Sequence, residues 1–196
     1  REGGAQAAPG TVCFPVMREP RRIRALTRIT EQDISAQSNP GPRARFFKDS
    51  IGIGYAPIIV ENPDGTMIAI ETKPFQIPLG ALIPEGCPNT LAGNANIGAT
   101  RVAAGALRSP EIQWAVGEAA GSALAFYAGY KAPMQDLLNT PEHLKAFQSI
   151  LVKQHGVPVY WYNDIAPGDS GFAEAQLEPF ENPSYHENAK TLNWKK

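Results

Sequence analysis

The sequence has little cysteine, almost no net charge and no long apolar run. Two cysteines, Cys13 and Cys87, stand among 196 residues, which is too few for a disulfide scaffold or a structural zinc site. Two separate thiols are the simpler expectation, and a single long-range disulfide stays open. A formal net charge of −1 gives no electrostatic reason to expect nucleic acid as a partner. The most apolar stretch, residues 115–128, is interrupted by Gly, Glu and Ser, so no membrane-spanning segment is predicted.

The sequence also lacks a phosphate-binding loop. Neither G-x-G-x-x-G nor G-x-x-x-x-G-K-[ST] occurs, and residues 52–54 offer only a G-x-G. Nothing in the chain is therefore expected to cradle a pyrophosphate by itself. The three histidines, His143, His155 and His186, show no metal-ligand spacing, so no metal site is predicted. No nucleophile and base stand out as a pair, which leaves the catalytic residues unknown.

The first residues indicate a piece of a longer polypeptide. Residue 1 is an arginine, no signal-like segment follows it, and residues 1–10 have the composition of a flexible linker. We expect a processed chain. This favours a location outside the cytoplasm without fixing the compartment.

Residues 11–88 predict a mostly β region. Strands are expected over 11–17 and 22–30, and in the second of these apolar residues alternate with arginines. A hairpin is predicted over 58–72, with a turn that contains proline and glycine. Proline-broken apolar pieces over 77–83 indicate an edge strand or an extended segment.

Residues 89–130 predict the arrangement with the most chemistry. A short strand ends at Gly93, a polar glycine-rich loop runs to Gly105, and a long helix begins after Ser109 and continues to about Ala128. Proline at the first helical position and an acid after it suit a helix start. Because a helix N-terminus stabilises negative charge, a ligand site is expected beside this loop.

The remaining residues predict helices with irregular ends. Region 131–178 is expected to be helical and extended, with one helix from Thr140 to Gly156 and a short last helix. Residues 179–196 are expected to form an irregular tail. A further short helix is predicted after Thr30.

Small residues recur at every fourth position of the long helix, at Gly117, Gly121 and Ala125. Two glycines inside a helix cost roughly 1 kcal/mol each relative to alanine. Keeping both predicts close approach by a neighbouring element or ligand, and ordinary tight helix packing is the alternative.

Three stretches resemble the FAD-dependent oxidoreductases that include xanthan-lyase-like proteins. Residues 17–34 are similar to R-E-S-R-R-I followed by T-x-x-D-I, with Pro20 in place of the serine. Residues 77–93 are similar to I-P-x-x-x-L-I-P and N-L-L-x-A-G. Residues 108–121 resemble R-x-x-P-x-x-x-x-x-G-Q-A-A-G. The resemblance covers about residues 13–178.

The resemblance implies the C-terminal portion of a two-domain Rossmann-type flavoprotein, with an α+β or α/β fold. Region 11–88, including the basic segment, would form a mixed substrate-side sheet, and region 89–130 would complete the FAD domain. The cofactor would be FAD, and a small organic substrate would give a hydride to it. An N-terminal half with G-x-G-x-x-G, as a second chain or a cleaved fragment, would be the partner in a hetero-oligomer.

The resemblance also implies which residues contact the flavin. The loop would line its ribityl side, and the arginine and helix start after the loop would face its pyrimidine edge. Departures from the family pattern occur at Asn94, Arg101 and Glu118. The implied contacts are Ala92, Gly93, Asn94, Asn96, Ile97, Arg101, Arg108, Pro110, Glu111, Ile112 and Gln113.

Two other interpretations stay open from the sequence. One is a non-catalytic structural subunit that keeps the fold without the cofactor. The other is an unrelated α+β binding domain that folds by itself.

Overall fold

The computed structural model describes residues 21–62, 64–130, 132–182 and 184–194, which form a mixed α+β fold. The strands are β1 (Ser50–Gly54), β2 (Ile58–Glu61), β3 (Met67–Ile70) and β4 (Phe75–Pro78). The helices are α1 (Glu31–Ile34), α2 (Ala104–Leu107), α3 (Pro110–Tyr127), α4 (Asp136–Asn139), α5 (Pro141–His155), α6 (Phe172–Glu181) and α7 (Tyr185–Asn188). Strand β1 pairs with β4, and β2 pairs with β3, both antiparallel.

The predicted strand over residues 22–30 is wrong, although its alternation is correct. Ala25 and Ile29 are buried while most of the arginines are exposed. The segment makes only isolated bridges, because its backbone amides bond in turn to residues 80–83 and to the loop at 96–98. Among the residues that the structure describes, no single strand pairs along the whole segment. The strand predicted over residues 11–17 lies outside the described residues.

The predicted hairpin is confirmed as β2 and β3. Gly65, in the turn, has φ of +83°, which glycine adopts without the strain of a side chain. The proline-broken segment that follows is only partly as predicted. Strand β4 is a fully buried strand of a two-stranded sheet, but Leu79–Ala81 is a 3₁₀ turn. The Asp49 carboxylate accepts the Gly80 N–H at 2.9 Å, and the Asp49 carbonyl accepts the Leu79 N–H at 2.8 Å, which turns the chain there.

Helix α3 packs directly on β1. A β-carbon placed on Gly54 would lie 2.6 Å from Ile112 Cδ1 and 2.6 Å from Phe75 Cε2. One placed on Gly52 would lie 3.5 Å from the Ala115 β-carbon. The two glycines of the sequence G-x-G therefore let the helix approach the strand. The main core consists largely of isoleucine, leucine and alanine side chains. They come from the strands and the segments that connect them, and from α3 and α5.

The helix from Thr140 is confirmed as α5. It ends at Gly156, whose φ of +66° is left-handed, and it buries Leu144, Phe147 and Leu151. The irregular tail predicted from residue 179 is wrong in part, because α6 and α7 extend into it. Rings of this segment pack on Tyr160 and Tyr162, and no local sequence pattern predicts these contacts.

Arg43 joins this C-terminal segment to the rest of the fold. It is 5 % exposed, and it donates to the Trp161 carbonyl at 2.8 Å and to the Thr191 carbonyl at 2.7 Å. Its guanidinium lies 4.5 Å from the ring centroid of Tyr160 and 5.0 Å from that of Tyr162, which is cation–π distance. Burial raises the pKa of Tyr160 to about 12, so its hydroxyl stays protonated near neutral pH.

Within the described ranges, no helix is long and apolar enough to cross a membrane. Cys87 is an exposed free thiol, and Cys13 lies outside the described residues.

The approach of α2 to β2 generates a stability prediction. A β-carbon on Gly105 would lie 2.6 Å from the Ile59 carbonyl oxygen and 2.9 Å from its nitrogen, and backbone cannot step aside as a side chain can. We expect Gly105→Ala to destabilise the protein by about 1–3 kcal/mol, measured by thermal or denaturant unfolding. At Gly121 of α3 a β-carbon meets nothing within 4 Å, so Gly121→Ala should instead stabilise by about 1 kcal/mol. Equal effects at the two positions would contradict this packing.

The C-terminal cluster generates a pH prediction. Burial, followed by the charge of Arg43, lowers the pKa of His186 below 6.5. Its neutral form therefore stabilises the fold above pH 6.5, and this contribution is lost as the pH falls through the lowered folded pKa. We expect the melting temperature to fall more steeply with acidification in the wild type than in His186→Phe, in thermal unfolding from about pH 8 to pH 5. Parallel pH profiles for the two proteins would contradict the assignment.

Candidate functional site

The structure brings the polar loop of residues 92–97 against the middle of α3. A β-carbon on Gly117 would lie 3.3 Å from the Gly93 carbonyl oxygen, and one on Gly93 would lie 3.8 Å from the Ala120 β-carbon. Gly117, one of the two helix glycines for which the sequence predicts a close approach, thus contacts the loop. The short strand predicted before the loop is wrong: Ala92 is buried, and its N–H donates to the Leu82 carbonyl at 2.8 Å without a strand forming.

Asn96 is the most informative residue of this loop. Its backbone carbonyl accepts the Ile23 N–H at 2.8 Å. This bond fixes the loop to the arginine-bearing segment of residues 22–30, the basic segment. Its side-chain Oδ1 is buried and has no hydrogen-bond partner among the described residues. By contrast, the exposed Asn94 satisfies its own Oδ1 with the Ala95 N–H at 2.6 Å, and Ile97 lies in the core. A buried amide oxygen without a donor is costly, and a ligand donor would satisfy it.

The two arginines of the implied site both reach the hairpin. The Arg108 Nη2 donates to the Ile59 carbonyl at 2.6 Å, and the Arg101 Nη2 donates to the Glu61 carbonyl at 3.4 Å. Both of these carbonyls belong to β2. These contacts tie the loop and the start of α3 to the hairpin, and no sequence pattern indicated them.

Hydrogen-bonding groups at the start of α3 already have partners within the chain. The N–H groups of Ile112 and Gln113 both bond to the Ser109 carbonyl at 3.1 Å, and the Gln113 side chain donates to the Arg108 carbonyl at 2.8 Å. A hydrogen bond from the Ser109 hydroxyl lowers the pKa of the exposed Glu111 carboxyl. A negative charge therefore already lies at this helix end.

The implied contacts fall into two groups along α3. Ile112 is buried against β1, while Pro110 and Glu111 are exposed at the helix end. Gly117 is seven positions after Pro110, which is about 10 Å along the helix axis. The loop contacts α3 near Gly117, away from the helix start. The implied contact residues therefore do not form one cluster.

A pocket lies along the arginine-bearing segment that is hydrogen-bonded to this loop. It has a volume of about 510 Å³, and its apolar wall includes Ala99, which follows the loop. The sequence singled out its arginines by their alternation but gave no indication of the cavity. Its lining residues are Arg22, Ile23, Arg24, Ala25, Arg28, Glu85 and Ala99.

The mixed α+β fold is consistent with a domain of a cofactor-dependent oxidoreductase. A family model described as FAD dependent oxidoreductase matches residues 6–151, about three quarters of the chain. The chain belongs to that family, which confirms FAD as its cofactor and points to oxidoreductase activity. No curated protein and no solved structure matches it.

The residues present fit a bound FAD at the loop. The orphaned Asn96 Oδ1 is an acceptor that lacks a donor, and FAD carries ring N–H and ribityl O–H donors. Gly93 and Gly117 let the loop that carries Asn96 pack directly on α3. The start of α3 fits less directly, because its groups are already bonded within the chain.

At Asn96 we expect one substitution to lower the affinity for FAD without lowering the stability of the cofactor-free protein. Asn96→Leu removes a buried acceptor that has no partner, so the cofactor-free protein should be as stable as the wild type or more stable. The affinity for FAD should fall by roughly tenfold or more, since a satisfied buried hydrogen bond is lost. Unfolding of the cofactor-free protein and titration with FAD by flavin fluorescence measure the two effects.

The matched control is Asn139→Leu, at an exposed position of α4. It should leave the affinity for FAD unchanged. If Asn96→Leu binds FAD normally and is less stable, the Asn96 amide is a structural group and not a cofactor contact.

Proposed function

We propose that the chain is the C-terminal portion of a two-domain Rossmann-type FAD-dependent oxidoreductase. Region 11–88 forms the substrate side, region 89–130 completes the FAD domain, and residues 131–178 buttress them. A nucleotide-binding half with G-x-G-x-x-G, on a second chain or another fragment, supplies the phosphate loop. The observation that carries the proposal is the polar loop with its orphaned Asn96 oxygen, seated on α3.

The outer face of α3 supports a partner half. Opposite β1, the helix presents Trp114, which is 77 % exposed, then Gly121, and then Leu124, which is 45 % exposed. Ala125 lies on the same face and is exposed as well. A face of small and apolar side chains around a tryptophan is typical of a surface that another element covers. In our proposal the nucleotide-binding half, which carries the phosphate-binding loop that this chain lacks, covers this face.

We assign the proposed flavin contacts to two groups of residues, one in the loop and one around the start of α3. The loop group holds the ribityl side of the flavin, chiefly through the Asn96 amide, while the second group brings positive charge toward the pyrimidine edge. The loop group is Ala92, Gly93, Asn94, Asn96 and Ile97, and the second group is Arg101, Arg108, Pro110, Glu111, Ile112 and Gln113.

The proposed reaction is oxidation of a small organic substrate. When bound, FAD accepts a hydride from a substrate C–H bond. The residues of this chain bind and orient the cofactor, and the buried Ala92 and Ile97 keep water from the loop side.

The outer face of α3 provides the test. The purified native protein should show flavin absorption near about 450 nm and contain a G-x-G-x-x-G chain or segment. Gly121→Arg places a long charged side chain on the outer face, where a β-carbon itself meets nothing within 4 Å. We expect this variant to fold but to lose the partner half and the flavin together, measured by co-purification and absorption.

Gly41→Arg is the matched control, since a β-carbon there has only an ordinary contact of 3.8 Å with the Arg43 carbonyl. It should keep the partner and the flavin. A native protein without flavin would support the structural-subunit interpretation, and a Gly121→Arg protein that keeps both would show that α3 faces solvent in the assembly.

A further inference from the structure

We propose that strand β3 pairs antiparallel with β3 of a second copy of this chain, around a two-fold axis at Ile68. This pairing involves the hairpin of β2 and β3 and does not depend on the proposed function. It rests on the backbone groups at the outer edge of β3, on the length of that edge, and on its side chains.

The outer edge of β3 carries backbone groups that point away from β2. The Asn62 N–H donates to the Thr66 carbonyl at 2.8 Å, and bonded and non-bonded pairs alternate along an antiparallel ladder. The register therefore makes Met67 and Ala69 members of non-bonded pairs, whose N–H and C=O groups point outward. Among the described residues, no backbone hydrogen bond reaches the outward groups of these two residues.

The two edges of the hairpin differ in how they are covered. On β2, arginine side chains donate to the Ile59 and Glu61 carbonyls, and α2 approaches the backbone of Ile59. Within the described residues, β3 has no such cover, although Met67 is 60 % and Ile68 is 48 % exposed. Its sequence M-I-A-I also lacks the lysine or proline that commonly protects an edge strand. An apolar edge of this kind is a template for another strand.

The length of the open edge favours a second copy of the same strand. At one end the hairpin turn at Gly65 closes the edge, and at the other end the Glu71 carbonyl accepts the Ala36 N–H at 2.9 Å. Residues 66–70 remain open between these ends. A longer strand would run into the segment at Ala36, whereas a second β3 offers an open edge of the same length.

A register centred on Ile68 brings compatible groups together. Ile68 would face its own copy, and the two exposed side chains would cover each other. Met67 would face Ala69 of the second copy, so that their outward N–H and C=O groups bond reciprocally. Thr66 would face Ile70 in the same way. No like charges oppose each other across the axis, and each copy contributes the same surface, so the assembly closes as a dimer.

The number of copies in the native particle tests the pairing. The purified native protein is measured over a dilution series by size-exclusion chromatography with light scattering. We expect two copies of this chain per particle at high concentration. Ile68→Lys should weaken the self-association about tenfold or more, because an apolar contact is lost and two ammonium groups face each other. Ile68→Glu should have the same effect, and an equimolar mixture of the two variants should restore the dimer.

Ile59→Lys is the matched control, since Ile59 is an isoleucine of the same hairpin that is 38 % exposed but lies on β2. It should leave the self-association unchanged. A wild-type particle with one copy of this chain at every concentration overturns the proposal, whatever else covers β3. Self-association that survives Ile68→Lys shows that another surface joins the copies and also overturns it. A mixture of the Lys and Glu variants that stays monomeric shows that residue 68 does not face its own copy, with the same consequence.

Discussion

The close approach of α3 to β1 is the constraint on which the site depends. Gly54 and Gly52 leave room for Ile112 and Ala115, so one face of the helix is buried on the strand and the opposite face is turned outward. Because the helix is fixed in this way, Gly117 meets the loop at its middle. A larger residue at Gly54 would move the helix and with it the support of the loop.

The elements that the sequence predicted correctly are those with local signals. Helices α3 and α5 begin after Ser109 and Thr140 with proline at the first position, and Gly156 ends α5 with a left-handed backbone. The hairpin likewise depends on a turn that a few adjacent residues specify. Such signals act within one or two turns of chain, and for this reason they can be recognised without knowing the rest of the fold.

The predictions that failed concern contacts between distant residues. The segment 22–30 alternates correctly, yet its amides bond to two different segments, and alternation carries no information about partners. The same holds at the site. The sequence placed the loop and α3 together, but it could not indicate that Arg108 donates to the Ile59 carbonyl, 49 positions earlier in the chain. The 510 Å³ pocket arises in the same way, from three separate stretches of chain.

The loop of residues 92–97, with Gly98 directly after it, contacts two different parts of the fold. Its Gly93 carbonyl packs on α3, and the carbonyls of Asn96 and Gly98 hold the basic segment. A backbone that is hydrogen-bonded to one segment and packed on a helix cannot shift without breaking one of these contacts. The position of the loop is therefore set by backbone contacts and not by flexible side chains. Because oriented catalysis requires constant placement of the reactants, a loop fixed by its backbone is suited to the role of cofactor support that we propose for it.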